Sequence, residues 1–275
     1  MSNLSPSDYA DLQAAVAKLE TQGFAMKLAS KAGMPIEALL HRLPAPAQSA
    51  IQATVDKALE QCLRIAVKAH KVKPSAVIYK RSHTAATAIT GAVGGFFGLP
   101  GLLVELPVTT TVMLHSIVEI AHSQGEDFSS PESSLACLEV FALGPQDSDR
   151  RTKESAYYAT RTALAQVTRE AVSYLTRKGM AKESAPALMS FIGKIASRFG
   201  LEVSEKVAAQ LVPIAGAVGG VTLNVLFSRH FQSLAEGHFT VRRLERKYGS
   251  DAVRQDYELA RSLAIQLPKA VSQLL

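Results

Sequence analysis

Hydrophobic residues recur along this chain at intervals of three and four, the spacing of one face of an α-helix. Leu12, Val16 and Leu19 make the first stripe. It follows Ser5-Pro6-Ser7-Asp8, where Ser5 reads as an N-cap, Pro6 as the first helical residue and Asp8 as an acid beside the unpaired amides. Ile51, Val55, Leu59, Cys62 and Ile65 make the second, predicting a helix over 48–70 that Lys73-Pro74 breaks. Gly33-Met34-Pro35 and Leu43-Pro44-Ala45-Pro46 punctuate the segment between them. A helix over 75–97, a turn at Gly98-Leu99-Pro100-Gly101 and a second arm over 102–122 then read as a helical hairpin, which Gly125 ends. Ser130-Pro131-Glu132 caps a short helix to Leu143, closed by Gly144-Pro145.

Residues 146–153 hold Asp147, Asp149, Arg150, Arg151 and Lys153 without a large apolar side chain, so they predict a surface loop and a lobe boundary. Helices are expected beyond it over 154–177, 185–199 and 201–212, then from Pro213 to about residue 235, and over 250–267. Strings of alternating β-branched residues are missing, and only 6% of the chain is aromatic. The pattern predicts an all-α protein: a multi-helix bundle with a central glycine-rich apolar hairpin and a second glycine-rich core helix. An N-terminal helical segment, 1–74, precedes the main domain, 75–275.

The pentapeptide Gly-Ala-Val-Gly-Gly occurs at 91–95 and again at 216–220, each time inside an uncharged stretch, 84–104 and 207–228. Each helical glycine costs about 1 kcal/mol relative to Ala, so such clusters serve close backbone packing or a bend. Neither stretch makes a good membrane span. The arm over 84–97 would measure about 21 Å, against a hydrocarbon core of roughly 30 Å. Pro213, Gln210 and Asn224 interrupt or dilute the other stretch. A buried core or an interfacial hairpin fits better. On that reading Gly94, Gly95, Phe96, Phe97, Gly98, Leu99, Pro100, Gly216, Gly219 and Gly220 are the candidate membrane or ligand contacts.

A net charge of +6 suits an anionic partner. The bases gather at 68–81 (Lys68, Lys71, Lys73, Lys80, Arg81) and at Arg242, Arg243, Arg246 and Lys247, each near an uncharged stretch, as polybasic flanks lie beside a membrane-facing segment. Few aromatics are interleaved to stack on bases, which argues against nucleic acid. Cys62 and Cys137 sit in apolar helical patterns and read as buried reduced thiols. Asp8, Asp11 and Glu20 stand where a signal peptide would need a basic start and an apolar run, predicting a cytoplasmic protein peripheral to the inner membrane.

Two constellations could carry chemistry. His115, Glu119 and His122 share one helix face and could offer two imidazoles and a carboxylate to a divalent metal, the one cofactor these residues would admit. Their spacing differs from the His-Glu-x-x-His of zinc proteases. Glu105 lies between Val104 and Leu106 in an apolar run, so if buried it must be paired or protonated. Arg161 is its expected partner, or that of Glu119, and with Asn224 these residues predict a structural polar network. Phosphate-loop and Gly-x-Ser-x-Gly patterns are absent.

The run Gly94-Gly95-Phe96-Phe97-Gly98-Leu99-Pro100-Gly101-Leu102-Leu103, continuing through Glu105-Leu106-Pro107 to Ile117-Val118-Glu119-Ile120-Ala121 and Gly125-Glu126-Asp127, resembles the signature of the EcsC protein family. Leu138 to Gly144, Tyr158 with Arg161, Arg198-Phe199-Gly200, Val212 to Ala217, Asn224 and His238 to Glu245 are similar to its later blocks. The resemblance implies a bacterial protein linked to transport or envelope processes and no particular reaction. The expectation is a non-enzymatic, peripheral membrane protein whose partner is a membrane surface or an integral-membrane protein. A binder of lipid or another apolar ligand, and a metal-dependent hydrolase using Glu105, His115, Glu119 and His122, are the alternatives.

Overall fold

The structure is a computed structural model that describes residues 4–20, 40, 43, 45–69, 98–145, 155–179, 185–210 and 219–272. Among these residues the protein is all-helical: α1 Pro6–Glu20, α2 Ala45–Ala69, α3 Gly98–Ser123, α4 Pro131–Glu139 running into a 3-10 turn at Val140–Ala142, α5 Ala156–Lys178, α6 Pro186–Gln210, α7 Gly219–Tyr248 and α8 Ser250–Ser272. The hairpin arm at 75–97, the loop at 146–153 and Pro213 lie outside the described residues.

Side-chain oxygens start several of these helices. Ser5 Oγ accepts from the Asp8 amide at 3.3 Å and donates to Asp8 Oδ2 at 2.9 Å, so the two residues cap α1 reciprocally. Ser130 accepts from the Glu132 amide at the head of α4, and Ser155 from the Tyr158 amide at the head of α5. Gly144 follows the 3-10 turn at φ +107°, a conformation that side chains rarely adopt, and Arg198 of α6 donates to its carbonyl and to that of Ala142.

α3 and α7 lie side by side and parallel. Glu105 meets Asn224, Ser116 meets Gln232 at 2.9 Å, and Glu126 meets Arg242 at 2.9 Å, so the register advances together along both helices. α1 and α8 pack on α7 and on each other, α2 packs against α3 and α6, and α5 lies along α6. Phe141, Phe199, Phe227 and Phe231 interlock where the 3-10 turn, α6 and α7 meet, with ring centroids 4.9–6.1 Å apart in the tilted, stacked and edge-on arrangements aromatic pairs prefer.

Two expected breaks are helix instead. α3 begins at Gly98 and runs through Leu99, Pro100 and Gly101, because a proline in the first turn of a helix lacks only an amide that would have no intrahelical partner there. α6 passes through Gly200 without stopping, since the missing side chain there makes room for Gln52 of α2. Gly237 of α7 plays the same part against α1: a Cβ would come within 2.8 Å of Leu19 Cγ and 3.2 Å of the Ala15 carbonyl oxygen. Gly237→Val should therefore force α1 off α7 and cost about 3 kcal/mol, read as a lowered midpoint in urea denaturation with little change in slope.

Candidate functional site

The parallel pairing of α3 and α7 brings together two of the residues the sequence nominates. Glu105 and Asn224 are buried and in direct contact: Asn224 Nδ2 donates to Glu105 Oε1, and Thr109 Oγ1, one turn along α3, donates to the same oxygen at 3.3 Å. The cation is Lys206 of α6, 2% exposed, whose Nζ stands 3.8 Å from Glu105 Oε1 and 5.1 Å from the centre of the Phe227 ring. Burial pushes the Lys206 amine down to about 8, and the attraction of Glu105 opposes that shift. One turn before Lys206 on the same helix face, Glu202 faces His230 of α7 at 3.8 Å. The phenylalanine cluster adjoins both pairs, since Phe227 lies under Lys206 and Phe231 against His230.

Lys206 escapes a reading of the sequence because it stands in Glu202-Val203-Ser204-Glu205-Lys206, a run with the charge pattern of a solvated helix face. Its one warning is position: Phe199, Val203 and Val207 are buried on the same helix, and Lys206 follows them at helical spacing.

Arg161, expected beside Glu105 or Glu119, lies elsewhere. It clamps Glu245 of α7 through two bonds of 2.6 and 3.0 Å, because it sits near the start of α5, which faces the C-terminal half of α7. It also donates to the Tyr157 hydroxyl at 3.3 Å, and that hydroxyl lies 3.0 Å from Nδ1 of the fully buried His238. Burial first, and then the Arg242 and Arg161 charges, hold the imidazole well below its usual range. Glu119 stands about 21 Å further along α3 than Glu105, in a groove of about 370 Å³ lined also by Lys18, Ser116, Ser123, Glu236 and Thr240.

His115 and His122 are both exposed, and the His122 ring packs on Phe128 with centroids 4.3 Å apart. Among the described residues no group of three or more His, Cys, Asp and Glu side chains is placed to hold a metal ion. Gly98, Leu99 and Pro100 form the first turn of α3, and Gly219 and Gly220 that of α7. Because the two helices are parallel, both begin at the same end of the bundle. Gly94, Gly95, Phe96, Phe97 and Gly216 lie outside the described residues.

The basic cluster of α7 is paired with the protein's own acids. Arg242 forks onto Glu126 at 2.9 and 3.0 Å, Arg246 pairs with the same carboxylate and with the Gln124 carbonyl, Arg243 reaches Asp11 at 2.6 Å, and Lys247 reaches Asp8 at 2.8 Å. Burial works to raise the Glu126 carboxyl, but Arg242 and Arg246 hold it below its usual range. Hydrogen bonds from Lys247, Tyr248 and Ser5 do the same for Asp8. As a polybasic flank the cluster is already neutralised by the protein's own acids, which the sequence places far away at 8–11 and 126–132.

An all-α bundle with two parallel helices entered from glycine-rich segments, and with charged side chains buried between them, defines the class. The chain belongs to the EcsC protein family, whose model matches residues 8–244. That span begins within α1, takes in α2 and ends within α7, short of α8. Comparison with curated proteins gave no match, and comparison with solved structures gave none either.

Lys206→Met should destabilise the protein at pH 7 by about 3 kcal/mol, because Glu105 stays behind as a buried charge, and Lys206→Met with Glu105→Gln should recover most of that loss. Folding lowers the Lys206 pKa from 10.5 to about 8, so between those values the unfolded chain binds more protons and the contribution of this group to stability rises with pH. Denaturation at pH 7 and pH 9.5 should show that rise in the wild type and not in Lys206→Met. Separately, Glu126→Gln should cost about 2 kcal/mol at pH 7 and progressively less as the pH falls below the ordinary carboxylate value of 4.5 and through the lowered pKa of Glu126, where the wild type takes up a proton as well.

Proposed function

We propose that this protein is a non-enzymatic, peripheral membrane protein of the bacterial cytosolic face, linked to transport or envelope processes. It docks through the end of the bundle where α3 and α7 begin. The observation that carries this reading is the exposure of Val104 and Val108, 76% and 49%, one turn apart on the outer face of α3. Neighbouring Glu105, Leu106 and Thr109 are buried, so α3 presents an apolar edge outward at the point where the chain emerges from the first glycine-rich segment. Exposed aliphatic pairs of this kind mark interaction surfaces when they are continuous with other apolar sequence.

Attraction to anionic headgroups is a secondary contribution in this reading, since Arg242, Arg243, Arg246 and Lys247 are paired within the fold. Val104–Ser123 is long and apolar enough to cross a bilayer by length and composition, but just over half of it is buried inside the protein. A peripheral mode suits a helix whose inner face is occupied by Glu105 and its partners.

The test is flotation with vesicles of phosphatidylglycerol and phosphatidylethanolamine, and with native membranes stripped of peripheral proteins. The wild type should float with at least one of them. Val104→Asp with Val108→Asp should weaken partitioning onto the vesicles about a hundredfold, because two apolar side chains withdrawn from water are worth about 1.5 kcal/mol or more each. Failure of the wild type to float with either, or equal flotation of the double variant, would remove the reading.

A further inference from the structure

We infer that the C-terminal half of α8 is a second membrane contact, an amphipathic segment that lies on an anionic lipid surface. The first half of this helix is held by the bundle: Val253, Tyr257 and Ala260, at spacings of four and three, are buried where α8 packs on α1 and α7. The same spacing continues in the sequence through Ala264, Leu267 and Val271. Ala264 is nonetheless exposed, two turns beyond Tyr257 on the same face, so the bundle stops covering α8 well before the helix ends at Ser272. Beside this stripe Leu259 and Leu263, one turn apart, are 46% and 43% exposed.

The direction of α8 places this segment. α1 runs antiparallel to α7, since Asp8 meets Lys247 and Lys18 meets Glu236. α8 turns back after Gly249, and by Tyr257 and Arg261 it has reached Glu20, the last residue of α1. It is therefore heading for the end of the bundle where α3 and α7 begin. From Arg261 to Ser272 it advances about 17 Å further. The exposed Val104 and Val108 lie toward that same end, so the assignment rests on the docking end proposed above and extends it to a second helix.

Charge selects the partner. Residues 259–275 carry Arg261 and Lys269 and no acid. Arg261 answers Glu20 within the fold, and beyond it the segment holds one base with nothing negative to oppose it. An apolar stripe accompanied only by bases suits a helix lying in the headgroup region of an anionic bilayer. A second copy laid along the same stripe would set base against base, which opposes pairing.

The chain contains no tryptophan, so Leu263→Trp installs a single fluorescent reporter on this segment. In the full chain its emission should shift to the blue and saturate as phosphatidylglycerol vesicles are added. Phosphatidylcholine vesicles should need about tenfold more lipid for the same shift. Leu259→Asp with Leu263→Asp should weaken partitioning onto phosphatidylglycerol vesicles about a hundredfold. The urea midpoint of that double variant should stay close to the wild type's, because neither side chain is buried in the fold. A wild type that floats while the reporter stays unshifted would overturn this contact and leave the α3 end standing, whereas failure to float at all would remove both. An equal response to the two lipids, unchanged partitioning of the double variant, or a blue shift that follows protein concentration without vesicles would also overturn the assignment, the last in favour of a second copy.

Discussion

The contact that the remainder of the molecule depends on is the lengthwise pairing of α3 and α7 in parallel. Parallel neighbours cannot be joined by a short loop, so the chain must travel away and come back before the second helix can be laid beside the first. In this protein the return path is α4, the 3-10 turn, α5 and α6, and those elements become the layer that covers one side of the pair. The polar contacts Glu105 to Asn224, Ser116 to Gln232 and Glu126 to Arg242 fix the register from end to end. Apolar packing alone would permit a slip of one turn, but such a slip would strand each of these buried groups without its partner, and unpaired buried groups are costly.

Charge follows the same logic. A chain of net charge +6 would be expected to show its bases to solvent, yet the four bases near the end of α7 are matched to acids from α1 and from the segment between α3 and α4. Arg242 and Glu126 are mostly enclosed, so their pairing fastens the connection after α3 to α7. Lys247 and Arg243 are more exposed and contribute less each. Together they set where α1 lies, and they withdraw positive charge from a surface where the sequence alone would place it.

Much of this was legible in the order of residues, and the failures share a cause. The N-caps Ser5 and Ser130, the stripes of α1 and α2, and the end of α3 near Gly125 depend on neighbours within a few positions, which a sequence displays directly. Glycine is ambiguous at that range. Gly200 and Gly98 look like stops, but at Gly200 it is the approach of Gln52, more than a hundred residues away, that gives the missing side chain its use. Glu105 and Asn224 could be nominated as odd polar residues in apolar runs, because each breaks its own local pattern. Their cation could not, since Lys206 belongs to a run of ordinary charged residues and is singled out only by its approach to Glu105 in the folded bundle. The pairing of Arg161 with Glu245 was hidden likewise: both were visible, but nothing local says which acid an arginine will reach.

The two ends of the chain close on one another. Glu20, the last residue of α1, accepts from Ser155 and from Tyr257 of α8 and faces Arg261, while Asp8 and Asp11 hold the end of α7. α1 is therefore late to find its place, because the surface that receives it is made by α7 and α8, far along the chain. Until those two helices are synthesised, the stripe of Leu12, Val16 and Leu19 lacks the surface on which it packs in the folded protein.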